Sequence, residues 1–137
     1  MPKEDYLLKY LEKLSRVIAA MLGLREKGLP EAALRLADET YKEMLDLNTD
    51  ELALMPVSAF VEIVRKAGYS SSHLDALAKL LYETACSFQQ KGNRVYANSF
   101  FQKALEVFYL LNEKDKTFSF EREMLISDLK QLIEDCQ

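Results

Sequence analysis

Glycine and proline are scarce in this chain, four of one and three of the other among 137 residues. An all-β chain needs many turn residues and a disordered one few apolar residues, so both classes are disfavoured. Cysteine is nearly absent: Cys86 and Cys136 lack CxxC spacing and fall in separate predicted helices. Neither a disulfide framework nor a zinc site is suggested, and reduced thiols are the expectation. Tryptophan is missing, and His73 is the only histidine. Excess positive charge is missing too. A net charge of −4 argues against a dedicated nucleic-acid binder, whose phosphate contacts require a concentrated basic face. No apolar run approaches the roughly 20 residues that cross a bilayer, so no membrane partner is expected. The apolar residues after Tyr6 are broken by Lys9, Glu12, Lys13 and Arg16, unlike a secretory signal, and a cytoplasmic location is the expectation. There is no Gly-rich phosphate loop, no HExxH and no GxSxG.

What is present is 49% hydrophobic and 29% charged residues, an ordinary globular composition that predicts one domain over 1–137. Helical periodicity runs throughout. A first helix over about 3–27 carries Leu7, Leu11, Leu14, Ile18 and Met21 in alternating steps of four and three, widened by Tyr10, Val17 and Leu24. Gly28 supplies its left-handed cap. A second helix over about 30–47 starts at Pro30 and presents Ala33, Leu34, Ala37 and Tyr41 inward. Asn48 and Glu51 resemble a cap for one brief turn, interrupted by Pro56. A third helix covers 57–67 and ends at Gly68. Ser72 and Asp75 read as a capping box for a fourth, over about 72–91, with Leu74, Leu77, Leu81, Ala85 and Phe88 on one side. The fifth spans about 94–112. The sixth spans about 118–135, its stripe of Leu125, Leu129, Leu132 and Cys136 suited to closing one end of a stack. The expectation is all-α, about six helices, no strand.

Within Leu81–Leu105 (LYETACSFQQKGNRVYANSFFQKAL), Ala97, Phe101 and Ala104 recur at small-large-small spacing after Gly92. Here the chain resembles the tetratricopeptide family, whose hairpin pairs W-x2-L-G-x2-Y with A-x3-F and a further alanine. Leu81 stands in the tryptophan slot, Thr84 in the leucine slot, Ala85 in the glycine slot and Phe88 in the tyrosine slot, while Tyr109 lies near the place of the closing proline. Thr84 and Tyr109 depart from the pattern. Val17, Ala20, Met21, Leu24, Gly28, Ala33 and Ala37 follow the same layout more weakly. The interval from Gly28 to Gly92 is not a whole multiple of the roughly 34-residue period, so the chain is tetratricopeptide-like and not a true array. Its order is also similar to a small, uncharacterised bacterial family with a long YLL-x2-L-like first helix and one such hairpin near the C-terminus.

The resemblance implies antiparallel hairpins in a right-handed stack and protein–protein interaction through a concave groove. Carried onto this chain, the groove positions are Lys79, Tyr82, Cys86 and Gln89. Tyr82 and Cys86 replace the lysine and asparagine with which some members grip a terminal carboxylate, so the groove favours a mixed contact such as another helix. Independently, the broad stripe of the first helix offers Leu7, Leu11, Leu14 and Ile18 as a candidate dimer face.

Weighed as chemistry, the remaining residues read plainly. His73 is expected to face solvent in a first helical turn, with no partner group fixed by sequence. Cys86 reads as a small buried hydrophobe. Glu12, Lys13, Arg16, Arg25, Glu26 and Lys27 form a solvated face of mixed sign. Phe100, Phe101, Phe108, Tyr109, Phe118 and Phe120 read as core. Glu51, Glu62 and Asp75 form no acid–base pair. The function expected is a non-catalytic, self-associating interaction or scaffold module with no cofactor, no metal and a protein partner or itself. The rival expectation is a sensor enclosing an apolar small molecule among Phe88, Phe101 and Phe108.

Overall fold

The computed structural model of the chain describes residues 3–136, with side chains from Leu8 onward; among them are seven helices and no strand. In order they are α1 (Lys3–Glu26), α2 (Pro30–Leu45), α3 (Thr49–Leu54), α4 (Val57–Ala67), α5 (Ser71–Gln90), α6 (Arg94–Lys114) and α7 (Phe120–Asp135). The all-α expectation holds. None of the described helices is long and apolar enough to cross a membrane.

The element ends follow from local chemistry. After α1, Gly28 takes φ +77°, which lets its N–H reach Arg25 O (3.0 Å) and the Leu29 N–H reach Leu24 O (2.9 Å), satisfying carbonyls a helix end leaves unpaired. Helix α2 stops earlier than expected, because Asp46 adopts the left-handed conformation (φ 57°) and returns its N–H to Lys42 O. The seventh helix is α3, where a single turn was expected. Asn48 and Glu51 form a full capping box, each side chain bonding the other's backbone N–H. The Asp38 carboxylate on α2 adds two 2.8 Å bonds, from the N–H and the hydroxyl of Thr49. Those contacts sustain six residues that propensity alone would not.

Ser72 is not the cap of α5. Ser70, in extended conformation, accepts from the His73 N–H, and Asp75 turns instead to Lys79 at 2.9 Å. Helix α7 begins at Phe120, capped by Ser119. Phe118 and Phe120, expected in the core, are 74% and 70% exposed; they flank a helix start whose inward face begins only at Arg122 and Ile126.

Cross-helix pairs give the directions. Tyr10 lies beside His73 and Arg25 beside Glu83, so α1 and α5 run the same way. Arg94 at the start of α6 bonds Asp135 O at the end of α7, while Arg122 at the start of α7 bonds Asn112 near the end of α6. Helix α7 is therefore antiparallel to α6 and parallel to α5. Short turns at Gly28 and Gly92 oppose α2 to α1 and α6 to α5.

Helix α5 is the centre, packing on α1, α2 and α6, with α3 and α4 laid over α6. Ala97 and Ala104 are fully buried, as close approach of α5 and α6 requires, and Phe100 and Phe101 fill the space beside them. Each such ring contributes about 1.5–3 kcal/mol from burial. One continuous core runs from Met21 on α1 to Leu129 on α7.

Candidate functional site

The groove stripe of α5 has the spacing of one helix face, and the structure gives its members different surroundings. Lys79 Nζ lies 2.9 Å from Asp75 Oδ2 and 3.6 Å from Glu121 Oε1 on α7, so it ties α5 to α7. Tyr82 is half-buried, its ring edge-on to Phe101 at 6.0 Å. Burial first, then the neighbouring Cys86 thiol, pushes the Tyr82 hydroxyl up to about 12. Cys86 is half-buried and its thiol is raised by burial, which keeps it protonated and a poor nucleophile. Gln89 is exposed.

The candidate dimer face divides. Leu14 is fully buried within the chain's own core and presents nothing to a second molecule. Leu7 lies outside the described side chains. Leu11 and Ile18 remain, half-buried, and line a cleft of about 420 Å³ together with Lys79, Ala76 and Arg122. Of the four groove positions only Lys79 lines this cleft, a trough over α5 between α1 and α7. Along its α1 wall Leu8 and Leu22 continue the apolar edge, 59% and 41% exposed. Its charges are already paired: Lys79 as above, and Arg122 with Asp115 (3.2 Å) and Asn112 (2.9 Å).

A second, larger cleft of about 650 Å³ opens where α1, the end of α2 and the α4–α5 turn meet. His73, expected in solvent, is buried there. Its ring stacks near-parallel to Tyr10 (centroids 6.1 Å, planes 20° apart) and to Tyr69 (6.0 Å, 14°), and Nδ1 lies 2.7 Å from Ser70 Oγ. Burial lowers its pKa from the ordinary histidine value. The tyrosines that enclose it come from other elements, which no local pattern around residue 73 shows.

Two buried charges, Glu83 and Lys103, and the half-buried Arg25 were missed as well. Arg25 belongs to no solvated face: its Nε and Nη2 lie 2.8 and 2.7 Å from Glu83 Oε2 on α5. Lys103, 1% exposed, has no carboxylate partner among the described residues and donates to Met55 O and Ser99 Oγ, both at 2.8 Å. Ser99 in turn donates to Ala53 O at 2.6 Å, so α6 caps the C-terminal end of α3, where a cation suits the dipole. Burial brings the Lys103 ammonium down to about 8. A signal for all three was in the sequence: Arg25 continues the Leu14, Ile18, Met21 stripe; Glu83 interrupts Ala76, Leu80, Ser87; Lys103 interrupts Tyr96, Phe100, Val107.

The interior proposed for a sensor is occupied by its own rings. Phe101 and Phe108 are buried and line neither cleft, and Phe88 stacks on Phe100 at 5.7 Å. Among the described residues no three His, Cys, Asp or Glu side chains gather into a metal site. Comparison with protein-family models, with curated proteins and with solved structures finds no match.

Proposed function

We propose that this chain is a non-catalytic, tetratricopeptide-like interaction module that self-associates through the trough between α1 and α7. The observation that carries the reading is the apolar wall of Leu8, Leu11, Ile18 and Leu22 left beside a cleft whose charges are already paired. Pairing leaves little for an ionic ligand to gain, whereas covering the leucines removes apolar surface from water. The polar floor of Ser72, Asp75 and Lys79 sets register, as polar rims do beside an apolar anchor. Helices α1, α5 and α7 running one way with α2 and α6 opposed supports the tetratricopeptide-like layout.

Light scattering tests it. The wild type is expected at the mass of two chains, and Leu8→Glu with Leu22→Glu at the mass of one with unchanged helical circular dichroism. A single-chain mass for the wild type at all concentrations removes self-association. Leu14→Glu is unsuitable as a probe, since it places a carboxylate in the core.

A further inference from the structure

We propose that a second copy seats its own α1 in the trough, parallel to the first, so that each molecule's helix fills the other's cleft about a two-fold axis running along the helices. The inference rests on the self-association reading and adds which segment occupies the trough and in which direction.

Helix α1 carries two apolar stripes. Leu14 and Met21 belong to the inward one and are fully buried. Leu8, Leu11, Ser15, Ile18 and Leu22 form the other in alternating steps of three and four, the seam of a two-stranded coiled coil. Leu11, Ser15 and Ile18 line the cleft, and Leu8 and Leu22 continue the seam in solvent. Ser15, at its middle, allows close approach and fixes register, because a slipped pairing sets its hydroxyl against a leucine.

The rim of the trough supplies charge complementarity. Arg16 is exposed beside the seam and makes no ion pair among the described residues. Across the trough, the Glu121 side chain is 76% exposed; it meets Lys79 at 3.6 Å, an ammonium already 2.9 Å from Asp75. Glu121 therefore has capacity for a second cation. Tyr10 lies beside His73 and Arg25 beside Glu83, so Arg16 stands about level with Lys79, and hence with Glu121. On a helical wheel Arg25, which reaches α5, and Arg16 fall on opposite sides of the seam. Rotation about an axis along the helices turns the edge bearing the partner's Arg16 toward Glu121 of α7.

Symmetry and area favour the same arrangement. An axis along the helices fills both troughs at once, whereas an axis across them lays trough on trough and seats neither helix. Stable dimers bury about 800 Å² on each partner. A helix laid on another covers one flank, while a helix in a trough covers two.

Disulfide trapping tests the arrangement in a chain carrying Cys86→Ala and Cys136→Ala. Diamide takes up the two electrons and two protons released as paired thiols become a disulfide. Ser15→Cys is expected to run at the mass of two chains on a non-reducing gel. A mixture of Arg16→Cys with Glu121→Cys chains should link as well, and neither variant removes a leucine of the seam. Both should link about 100-fold faster than Lys66→Cys, which is exposed on α4 and meets its copy only by collision. Light scattering before oxidation separates the two readings. A single-chain mass removes self-association and this arrangement with it. A two-chain mass with Ser15→Cys unlinked, with the Arg16→Cys and Glu121→Cys mixture unlinked, or with Lys66→Cys linking equally fast overturns the seating of α1 and leaves self-association standing.

Discussion

Thr84 and Tyr41 show how a single hydroxyl proton sorts two neighbours. Thr84 Oγ1 donates to Leu80 O (2.8 Å), so the Tyr41 hydroxyl, 2.7 Å away and fully buried, must donate to Thr84. Burial raises the Tyr41 pKa far above the ordinary tyrosine value, which keeps that proton in place. The two side chains are thus unequal under substitution. Thr84→Val strands a buried O–H and should cost about 1–3 kcal/mol, whereas Tyr41→Phe leaves Thr84 its carbonyl partner and should cost about 0.5–1.5 kcal/mol. Urea unfolding decides: the reverse order would mean the proton runs the other way. At this scale the sequence was suggestive but incomplete. Thr84 stood out as a departure from the hairpin pattern, yet its reason, a tyrosine 43 residues earlier, lies in tertiary contact. Arg25, Glu83 and Lys103 interrupt apolar stripes in a way that periodicity registers, but their partners are set by how helices cross.

Among the elements, glycine-marked ends were legible, because a left-handed cap has a chemical signature: Gly28, Gly68 and Gly92 all take positive φ. The end of α2 was not. Asp46 does the same job with a Cβ, at φ 57°, and an aspartate marks such an end far less sharply than a glycine does. That position carries steric cost a glycine avoids. Asp46→Gly should stabilise the protein by about 0.5–1 kcal/mol, the relief exceeding the added freedom of the unfolded chain. A rise in Tm by circular dichroism is expected; an unchanged or lower Tm shows the cost to be absent. Helix α3 was readable only as a turn, since its capping box is local while Asp38, Ser99 and Lys103 reach it from α2 and α6. The cap of α5 was misplaced by two residues because three successive serines offer equivalent caps, and only the imidazole of His73 selects Ser70.

Over the whole molecule, hairpins were written in the sequence through Gly28, Gly92 and the Ala97–Phe101–Ala104 spacing, while the trough was not. It exists because α7 returns parallel to α5 and meets it at Lys79–Glu121, a pairing between residues with no pattern in common. Folding also scattered the aromatics, sending Phe118 and Phe120 outward and Phe100, Phe101 and Phe108 inward. Lys103 spans this scale as well, since a side chain of α6 closes α3 against the body. An amine that sealed can be acylated only in molecules whose clip has lifted away. Its modification by an amine-specific reagent should therefore trail far behind that of the surface lysines, and reagent-independent kinetics at high dose would read out the lifting rate itself. Labelling at the pace of exposed Lys66 would mean the clip is open most of the time. The buried ammonium is, in effect, a chemical clock for a motion that leaves the remaining helices in place.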